Sequence, residues 1–380
     1  MRFSTSRTLS RAAALALALS AGCERFAPIH SEQREQQASP AVFVLDRHVA
    51  ADVPREQRSY VLAASIYAGW MPWYYAADSG ILARWAKRED IAIHFESLDY
   101  IASLEAFVTG RADVCLATNI DALGLPAAAG VDTTVLVIGD YSNGNDKLLA
   151  RGIRSIGELR GREVLLVELS VSDYLLSRAL EQAGVSPREV RIVNTGDAKI
   201  ANEFLADSQP RAVVTWNPIA AELQRQPNVR VLFDSGQVPG EILDLCIVNT
   251  RTLRQDPRLG RALVGAWYEV LELMRRDDPA GRAAVARMAE LAGCSAAEFR
   301  AQLATTHIFW TPSEARAFAA SLALRENMES VRQFCFAKRL FGDAAQNADA
   351  VGIAYADGTL QGDPERVRLR FETSFVKRAK

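Results

Sequence analysis

Short apolar stretches alternate with segments of helical periodicity along most of the chain. A first block of apolar stretches predicts strands at 60–65, 91–95, 114–117 and 135–139. A second block predicts strands at 163–167, 190–194, 212–215, 229–233 and 244–248. Helical periodicity fills the intervals and dominates beyond residue 251. Because strands that alternate with helices form βαβ units, the pattern predicts an α/β fold with parallel-dominated sheets.

Two similar blocks followed by a helical segment predict a molecule of two lobes. The length of 380 residues is sufficient for two domains. We expect lobe 1 to comprise 59–145 together with 249–380, and lobe 2 to comprise 146–248. The chain would then cross between the lobes near 145–147 and 245–249, and these crossings would form two hinge strands.

The beginning of the chain has the pattern of a secretory signal peptide. Three arginines precede the apolar run 12–19, which is about half as long as a membrane-spanning helix, and small residues follow it. The small residues end at Cys23 and resemble a bacterial lipobox, although Ser20 stands where such motifs usually carry Leu. We therefore expect removal of 1–22 and lipidation of Cys23. Ordinary cleavage with release into the periplasm is the alternative.

Residues 23–58 are polar, with few large apolar side chains, and predict a solvated tether.

The overall composition limits the classes of partner that the protein can bind. The chain as a whole is 49% hydrophobic and 24% charged, which is ordinary for a globular protein. With 44 Lys and Arg against 46 Asp and Glu, the net charge is −2. This charge argues against a nucleic-acid partner.

Polar and aromatic side chains follow the predicted strands in both blocks. In open α/β sheets, ligands bind beyond the carboxyl ends of the strands. The expected ligand-binding residues are Tyr67, Trp70, Trp73, Asn119, Asp121, Asp146, Glu168, Ser170, Asp173, Trp216, Asn217, Glu241 and Asp244. Asp140 and Asn143 stand at the same strand ends. The set combines many carboxylates with several indoles and contains no Arg or Lys.

This combination of side chains favours a small delocalised cation. A planar guanidinium matches a carboxylate through two parallel hydrogen bonds, and its weakly hydrated faces stack on Trp. A sulfonate or nitrate would need cations or free helix N-termini, and Glu168 at a helix N-terminus would repel it. Urea is the second candidate, because it is neutral and gives no reason for so many acids.

Each candidate residue also has a purely structural explanation. Trp70 and Trp73 could close the top of the sheet as part of the core. Asp121, in the first turn of a helix, is favourable there through the helix dipole alone. Glu241 and Asp244 could simply flank the hinge. The recurrence of such residues at strand ends in both blocks favours a binding role for the group.

Several segments carry a resemblance to a known family. They are SIYAGWMPW (65–73), TNIDAL (118–123), SNGND (142–146), VELSVS (167–172) and VTWNP (214–218), extended by PGEI (239–242) and QLATT (302–306). The chain resembles the solute-binding proteins of ABC importers for nitrate, sulfonates, taurine and thiamine precursors. More narrowly, it is similar to the subgroup encoded beside urea carboxylase and allophanate hydrolase. The resemblance covers about 60–375.

The resemblance implies a type II periplasmic-binding-protein fold, with two α/β lobes, two hinge strands and a ligand cleft between the lobes. It implies a periplasmic protein that captures guanidine or urea and delivers it to ABC permease subunits. Lipidated Cys23 would anchor it to the membrane. We expect a monomer without a cofactor or a metal.

Two other classes of function, an enzyme and a sensor, are alternatives to a transport protein. A nucleophilic enzyme would need a Cys or Ser side chain beside a His. Two of the four histidines lie in the tether, and Cys115 and Cys246 fall within apolar strands, where inert thiols are expected. We therefore expect a binding protein and not an enzyme. A sensor that signals to a membrane receptor would use the same binding chemistry. A disulfide between Cys294 and Cys335 is left open.

Overall fold

The computed structural model describes residues 58–206 and 208–376. The expected signal peptide, the lipidation site at Cys23 and nearly all of the tether lie outside these residues. Within the described residues, none of the helices has the length and apolar character needed to cross a bilayer.

The strands and helices alternate as the sequence pattern predicts. The strands are β1 (Arg58–Ala64), β2 (Ile91–Ser97), β3 (Val114–Thr118), β4 (Thr133–Ser142), β5 (Lys147–Arg151), β6 (Glu163–Leu166), β7 (Arg191–Asn194), β8 (Arg211–Thr215), β9 (Val229–Asp234), β10 (Leu243–Asn249), β11 (Thr306–Ile308), β12 (Gly352–Ala354), β13 (Leu360–Gln361) and β14 (Val367–Phe371). The helices are α1 (Met71–Asp78), α2 (Ile81–Arg88), α3 (Tyr100–Val108), α4 (Asn119–Ala122), α5 (Val171–Gln182), α6 (Asp197–Leu205), α7 (Ile219–Gln224), α8 (Thr250–Gln255), α9 (Pro257–Arg275), α10 (Pro279–Leu291), α11 (Ala296–Leu303), α12 (Pro312–Ala319) and α13 (Leu322–Ala337). The α/β class is therefore confirmed.

Two separate sheets organise the described residues. The larger sheet has the strand order β13-β12-β14-β4-β10-β3-β1-β2, and β11 pairs with β4. The smaller sheet has the order β7-β6-β8-β5-β9. The chain builds β1–β4 of the larger sheet, then the whole smaller sheet, and then returns to the larger sheet at β10. We call the part built on the larger sheet, 58–142 and 243–376, the larger half. The part built on the smaller sheet, from β5 to β9, is the smaller half.

Both sheets are mixed, which differs from the expected parallel-dominated arrangement. β1 runs parallel to β2 and β3, and β6 runs parallel to β7 and β8, as βαβ units require. β10, however, is antiparallel to both β3 and β4, and β5 is antiparallel to both β8 and β9. These two strands directly follow the passages of the chain from one sheet to the other. They enter their sheets from the opposite side, so their direction is reversed.

The passages between the sheets lie close to the expected hinges. The first runs from the end of β4 at Ser142 to the start of β5 at Lys147. The second runs from the end of β9 at Asp234 to the start of β10 at Leu243, which is earlier than the expected 245–249. β10 belongs to the larger sheet, where it pairs with both β3 and β4 and its apolar side chains are buried. The movement of two lobes about these passages stays a prediction.

Proline and a preceding capping side chain define the starts of three helices in the larger half. Asp256 accepts a hydrogen bond from the backbone of Arg258 at the start of α9, and Asp278 accepts one from Gly281 at the start of α10. Thr311 forms a capping box with Glu314 at the start of α12. Each capping residue is followed by Pro, whose missing N–H would have no partner in the first turn. Local sequence thus fixes where these helices begin.

The packing of α2 on α9 depends on the absence of a side chain at Gly265. A Cβ atom at this position would lie 2.4 Å from the Trp85 ring. The ring cannot easily retreat, because the Trp85 Nε1 donates to Glu269 Oε2 at 2.7 Å and Arg88 lies over its face.

We therefore expect Gly265→Ala to lower the free energy of unfolding. Overpacking costs about 1–3 kcal/mol, which exceeds the roughly 1 kcal/mol gained when Ala replaces Gly within a helix. Urea denaturation measures the difference. Gly157→Ala is the matched control, because its Cβ would lie no closer than 3.6 Å to a neighbouring atom. Equal stability of Gly265→Ala and the wild-type protein would contradict this account of the α2–α9 contact.

Candidate functional site

A cavity of about 260 Å³ lies where the strand ends of the two halves meet. Its walls are formed by Tyr67, Trp70, Tyr100, Thr118, Asp146, Val171, Trp216 and Asp244. Residues from the ends of β1, β3, β6 and β8 contribute to it, in agreement with the expected position beyond the carboxyl ends of strands.

Four aromatic rings enclose the cavity. Tyr67 meets Trp70 edge to face with 5.1 Å between the ring centroids, and Trp70 lies 5.8 Å from Tyr100. Tyr100 in turn meets Trp216 edge to face at 5.6 Å. The first three rings belong to the larger half and Trp216 belongs to the smaller half. Such rings exclude water and present faces that attract cations.

Asp140 and Asp244 form a buried carboxyl pair beside these four aromatic rings. The two residues are directly opposite each other on the adjacent antiparallel strands β4 and β10. The Tyr67 hydroxyl donates to Asp140 Oδ1 at 3.1 Å, whereas Asp140 Oδ2 is buried and has no hydrogen-bond partner. A Cβ atom at position 69 would lie 2.6 Å from Asp140 Oδ2, so Gly69 permits this close approach of the loop.

Asp146 reaches the cavity from the first passage between the sheets. The Ser142 hydroxyl donates to Asp146 Oδ2 at 2.5 Å. Ser142 is itself within 2.6 Å of the Ser235 hydroxyl, which accepts a hydrogen bond from the backbone of Gly144 at 2.8 Å. Ser235 directly follows β9, so these bonds hold the two passages of the chain together and fix the position of the Asp146 carboxyl.

Asp121 lies behind the cavity wall and joins the two halves. Its Oδ2 accepts hydrogen bonds from the Tyr100 hydroxyl at 2.6 Å and from Thr118 Oγ1 at 2.8 Å. The backbone N–H of Val171, in the smaller half, donates to the same oxygen at 3.4 Å. Asp121 therefore orients two residues of the cavity wall and anchors the start of α5.

Burial shifts all four carboxyl groups towards their neutral forms. It raises the pKa of Asp121 to about 6 and the pKa of Asp146 to about 6, although hydrogen bonds to both carboxylates oppose the shift. Burial also raises the pKa of Asp140, and it raises the pKa of Asp244 well above the ordinary value, with the neighbouring Asp140 charge adding to it. The cavity wall contains no Arg or Lys. The ionised carboxyls therefore lack a positive partner, which favours a cation in the cavity.

Two of the expected binding carboxylates are instead paired with cations outside the cavity. Lys338 donates to Asp173 Oδ1 at 2.7 Å, and Arg178 donates through Nε to Glu241 at 2.8 Å. The Tyr174 hydroxyl also donates to Glu241, at 2.6 Å. The Lys338–Asp173 pair connects the larger half to the smaller half, whereas the Arg178–Glu241 pair ties α5 to the second passage between the sheets.

Five further expected residues lie outside the cavity wall. Trp73 is in the core, where it stacks on Trp267 with 5.1 Å between centroids, and Glu168 is exposed. Asn119 is fully buried, and its amide binds the Glu241 carbonyl and the Leu243 backbone N–H.

The remaining two stand near the cavity in supporting positions. Ser170 caps α5 by accepting a hydrogen bond from the backbone of Ser172 at 3.2 Å. The Asn217 side chain donates to Thr305 at 3.2 Å. Of the thirteen expected residues, the structure thus brings Tyr67, Trp70, Asp146, Trp216 and Asp244 together in the wall.

The cavity wall also contains Tyr100, Thr118 and Val171, which are not among the residues expected from the sequence. Tyr100 follows β2 and begins α3, so the strand-end rule applied to β2 would have found it. Thr118 was recognised only as a helix cap, and its hydroxyl does accept from the backbone of Asp121 at 3.3 Å. Val171 carries no chemical signal, because it contributes only an apolar surface.

Several buried polar atoms in the cavity wall, or in residues next to wall residues along the chain or in contact with them, have no hydrogen-bond partner. Besides Asp140 Oδ2, the buried Trp70 Nε1, Ser172 Oγ, Thr215 Oγ1 and Asn217 Oδ1 have no hydrogen-bond partner. Buried polar groups are normally paired, so these atoms are available to a polar molecule in the cavity.

The described residues contain neither a metal-binding cluster nor a disulfide. In 58–206 and 208–376, no three His, Cys, Asp or Glu side chains converge in a way that could hold a metal ion. The thiols of Cys115, Cys246, Cys294 and Cys335 are free, so the disulfide left open between the last two is absent.

Comparison with solved structures identifies the architecture. The alkanesulfonate-binding protein SsuA from Xanthomonas axonopodis pv. citri, bound to MOPS, has a TM-score of 0.64 and 19% identity, covering 78% of this chain and 99% of its own. The periplasmic aliphatic sulphonate binding protein SsuA from Escherichia coli has a TM-score of 0.61 and 18% identity, covering 77% and 95%. The periplasmic nitrate-binding protein NrtA from Synechocystis PCC 6803 has a TM-score of 0.54 and 10% identity, covering 86% and 99%.

Sequence comparison agrees with this architecture. No curated protein matches the chain. A model of the family described as NMT1/THI5 like matches residues 72–280, more than half of the chain. The names of the three solved structures describe binding proteins. Its sequence and its two-sheet architecture therefore show that the chain belongs to the NMT1/THI5-like family and has the fold of the periplasmic binding proteins.

Proposed function

We propose that this protein is the solute-binding component of an ABC importer and that it captures guanidinium in the cavity between its two halves. The observation that carries the proposal is the wall of the cavity, where aromatic rings and buried carboxyl groups occur without any Arg or Lys. The protein would act in the periplasm, anchored through Cys23, and would deliver its ligand to a permease.

The charge of the cavity separates this proposal from an anionic ligand. The names of the structural neighbours describe binding of sulfonates and nitrate, which are anions. Here, the side chains of Asp146 and Asp244 lie in the wall, with Asp121 and Asp140 directly behind it. An anion held among them would lose its hydration without gaining an opposite charge, which is strongly unfavourable.

Guanidinium fits both the carboxyl groups and the aromatic rings of the cavity wall. Its N–H groups lie in one plane and can each donate to a carboxylate oxygen, so Asp146 and Asp244 can hold its edge. Its faces carry no hydrogen-bonding groups and stack on aromatic rings such as Trp70 and Trp216.

Binding would be coupled to closure of the two halves. The ion pair Lys338–Asp173 spans the halves and would break as the cavity opens. Closing an empty cavity would bury ionised carboxyls without a partner, whereas a bound cation compensates for their lost hydration. The ligand therefore stabilises the closed arrangement because it contacts both halves only there. The lobe boundaries expected from the sequence would serve this motion.

Urea is a second candidate, favoured by one specific observation. The Trp70 Nε1 is a buried N–H donor without a partner in the cavity wall. Urea has a carbonyl oxygen that could accept from it, whereas guanidinium has no acceptor. Urea does not, however, use the acidity of the carboxyl groups.

A parallel calorimetric titration of the purified protein tests the choice of ligand. We expect guanidinium to bind, urea to bind more weakly, and taurine and nitrate to give no binding heat, because the cavity offers carboxylates to N–H donors. Tight binding of taurine or nitrate, with no heat from guanidinium, would overturn the proposal.

Asp244→Asn tests the contribution of charge. A hydrogen bond to a charged group contributes about 1.5–3 kcal/mol, so we expect the affinity for guanidinium to fall by about 10–150-fold and the affinity for urea to fall less. Exposed Glu272→Gln is the control and should leave both affinities unchanged.

At pH 8, the Asp244→Asn protein should be at least as stable to unfolding as the wild-type protein. Because burial raises the pKa of Asp244, any stability linked to its proton is lost as the pH rises through the folded-state value, and Asn removes that loss. Thermal unfolding of the ligand-free protein checks this.

For the affinities of Asp244→Asn, equal losses of guanidinium and urea binding would show that the carboxylate acts only through its shape.

Trp216→Phe tests the stacking contribution of the smaller half. The smaller ring presents a weaker face to a cation, and a desolvated cation–π contact is worth up to about 2 kcal/mol. We expect the calorimetric affinity for guanidinium to fall by about 3–30-fold with the fold retained. Trp85→Phe, on the half-buried α2, is the matched control and should change stability only. An unchanged affinity in Trp216→Phe would remove Trp216 from the binding site.

A further inference from the structure

We propose that the cavity takes up its cation in exchange for a proton held by the Asp140–Asp244 carboxyl pair. The inference rests on the proposed function, because it requires a cationic ligand. It adds that the same site responds to pH and that loading releases acid.

The geometry of the pair is the first support. The two residues face each other on neighbouring strands and are 1% and 4% exposed, respectively. Two ionised carboxylates this close in a buried place would repel each other strongly, whereas one shared proton removes a charge and supplies a hydrogen-bond donor. Asp140 Oδ2, which lacks a partner, is available for that proton. Tyr67 donates to the other oxygen of Asp140, so it leaves Oδ2 free.

The groups that surround the pair are acidic or neutral. Asp146 adds negative charge, and its electrostatic effect raises the pKa of Asp140 and of Asp244 after the larger effect of burial. Asp121 lies further away, behind Thr118. On the β11 side, Thr306 presents a hydroxyl that lies 3.4 Å from the Tyr67 hydroxyl. Burial and the neighbouring carboxyls raise the pKa of Tyr67 well above its ordinary value, so this phenol remains a donor.

The basic side chains nearest along these elements are engaged elsewhere. Lys147, at the start of β5, donates to Gln224 at 2.8 Å, and Lys338 binds Asp173. His307 is exposed and stacks on Tyr141, with 4.4 Å between the ring centroids. Within the described residues, the compensating positive charge for the pair is therefore a proton in the absence of a ligand.

The exchange balances in charge and atoms. When the cation enters, the O–H bond of the protonated carboxyl breaks, and its proton passes to water or buffer. The carboxylate left behind accepts an N–H hydrogen bond from the cation. One positive charge enters and one leaves, so the net charge of the closed cavity is unchanged. Neutral urea brings no charge and has no reason to displace the proton.

The exchange predicts a specific dependence on pH. Below the titration of the pair, guanidinium competes with one proton, so its affinity should rise by about tenfold per pH unit. Guanidinium itself stays protonated throughout the neutral range, as the arginine side chain does. Acidification should therefore unload the protein.

Calorimetry of the whole protein at pH 7 in two buffers tests the inference. Phosphate and Tris release very different heats on protonation, so the difference between the apparent binding enthalpies counts the protons released. We expect the release of about one proton per bound guanidinium and about zero per bound urea. Glu272→Gln should release as many protons as the wild-type protein.

Asp140→Asn tests whether the released proton comes from the Asp140–Asp244 pair or from another carboxyl group. The new amide would donate to Asp244 and favour its ionised form, so proton release should fall to near zero while weaker guanidinium binding persists. If this variant fails to fold, the two-buffer comparison of the wild-type protein decides the question alone. Guanidinium binding with equal enthalpies in both buffers would overturn proton exchange and leave the proposed function intact. Absence of guanidinium binding would remove both.

Discussion

The site depends on the burial of several carboxyl groups at a junction that supplies no basic side chain. Asp146 and Asp244 reach the wall of the cavity, and Asp121 and Asp140 lie directly behind it. Such an arrangement costs free energy in an empty, closed protein, because ionised carboxyls lose their hydration there. Two partners can offset this cost, a proton or a bound cation. The raised pKa of each group reflects the first, and the proposed ligand supplies the second.

The fold creates this junction through the return of the chain to the larger sheet. β10 inserts between β3 and β4, which places Asp244 opposite both Thr118 and Asp140. The passages between the sheets lie beside this strand, and their hydroxyl network holds Asp146 in the wall. The same feature that connects the halves therefore brings together acids that are about a hundred residues apart in the sequence.

A shared fold leaves the chemistry of a binding site open. The fold is common to this chain and to the solved structures named for sulfonates and nitrate, whereas the charge of the cavity here depends on a few side chains at strand ends. In this chain, those side chains are acidic and aromatic. Fold and ligand therefore have to be argued separately, the first from topology and the second from the wall of the cavity.

The sequence by itself determined the order of strands and helices, the division into two similar blocks and the general position of the site. These follow from periodicity and from the rule that ligands bind at strand ends, both of which are local properties. Only the tertiary structure decided which acids are available. Asp173 and Glu241 look like Asp146 in the sequence, but Lys338 and Arg178 reach them from distant elements and neutralise them. Likewise, Trp73 and Trp70 are three residues apart, yet Trp73 packs in the core against Trp267 whereas Trp70 lies in the cavity wall. Pairing and burial depend on contacts between remote segments, which no local pattern specifies.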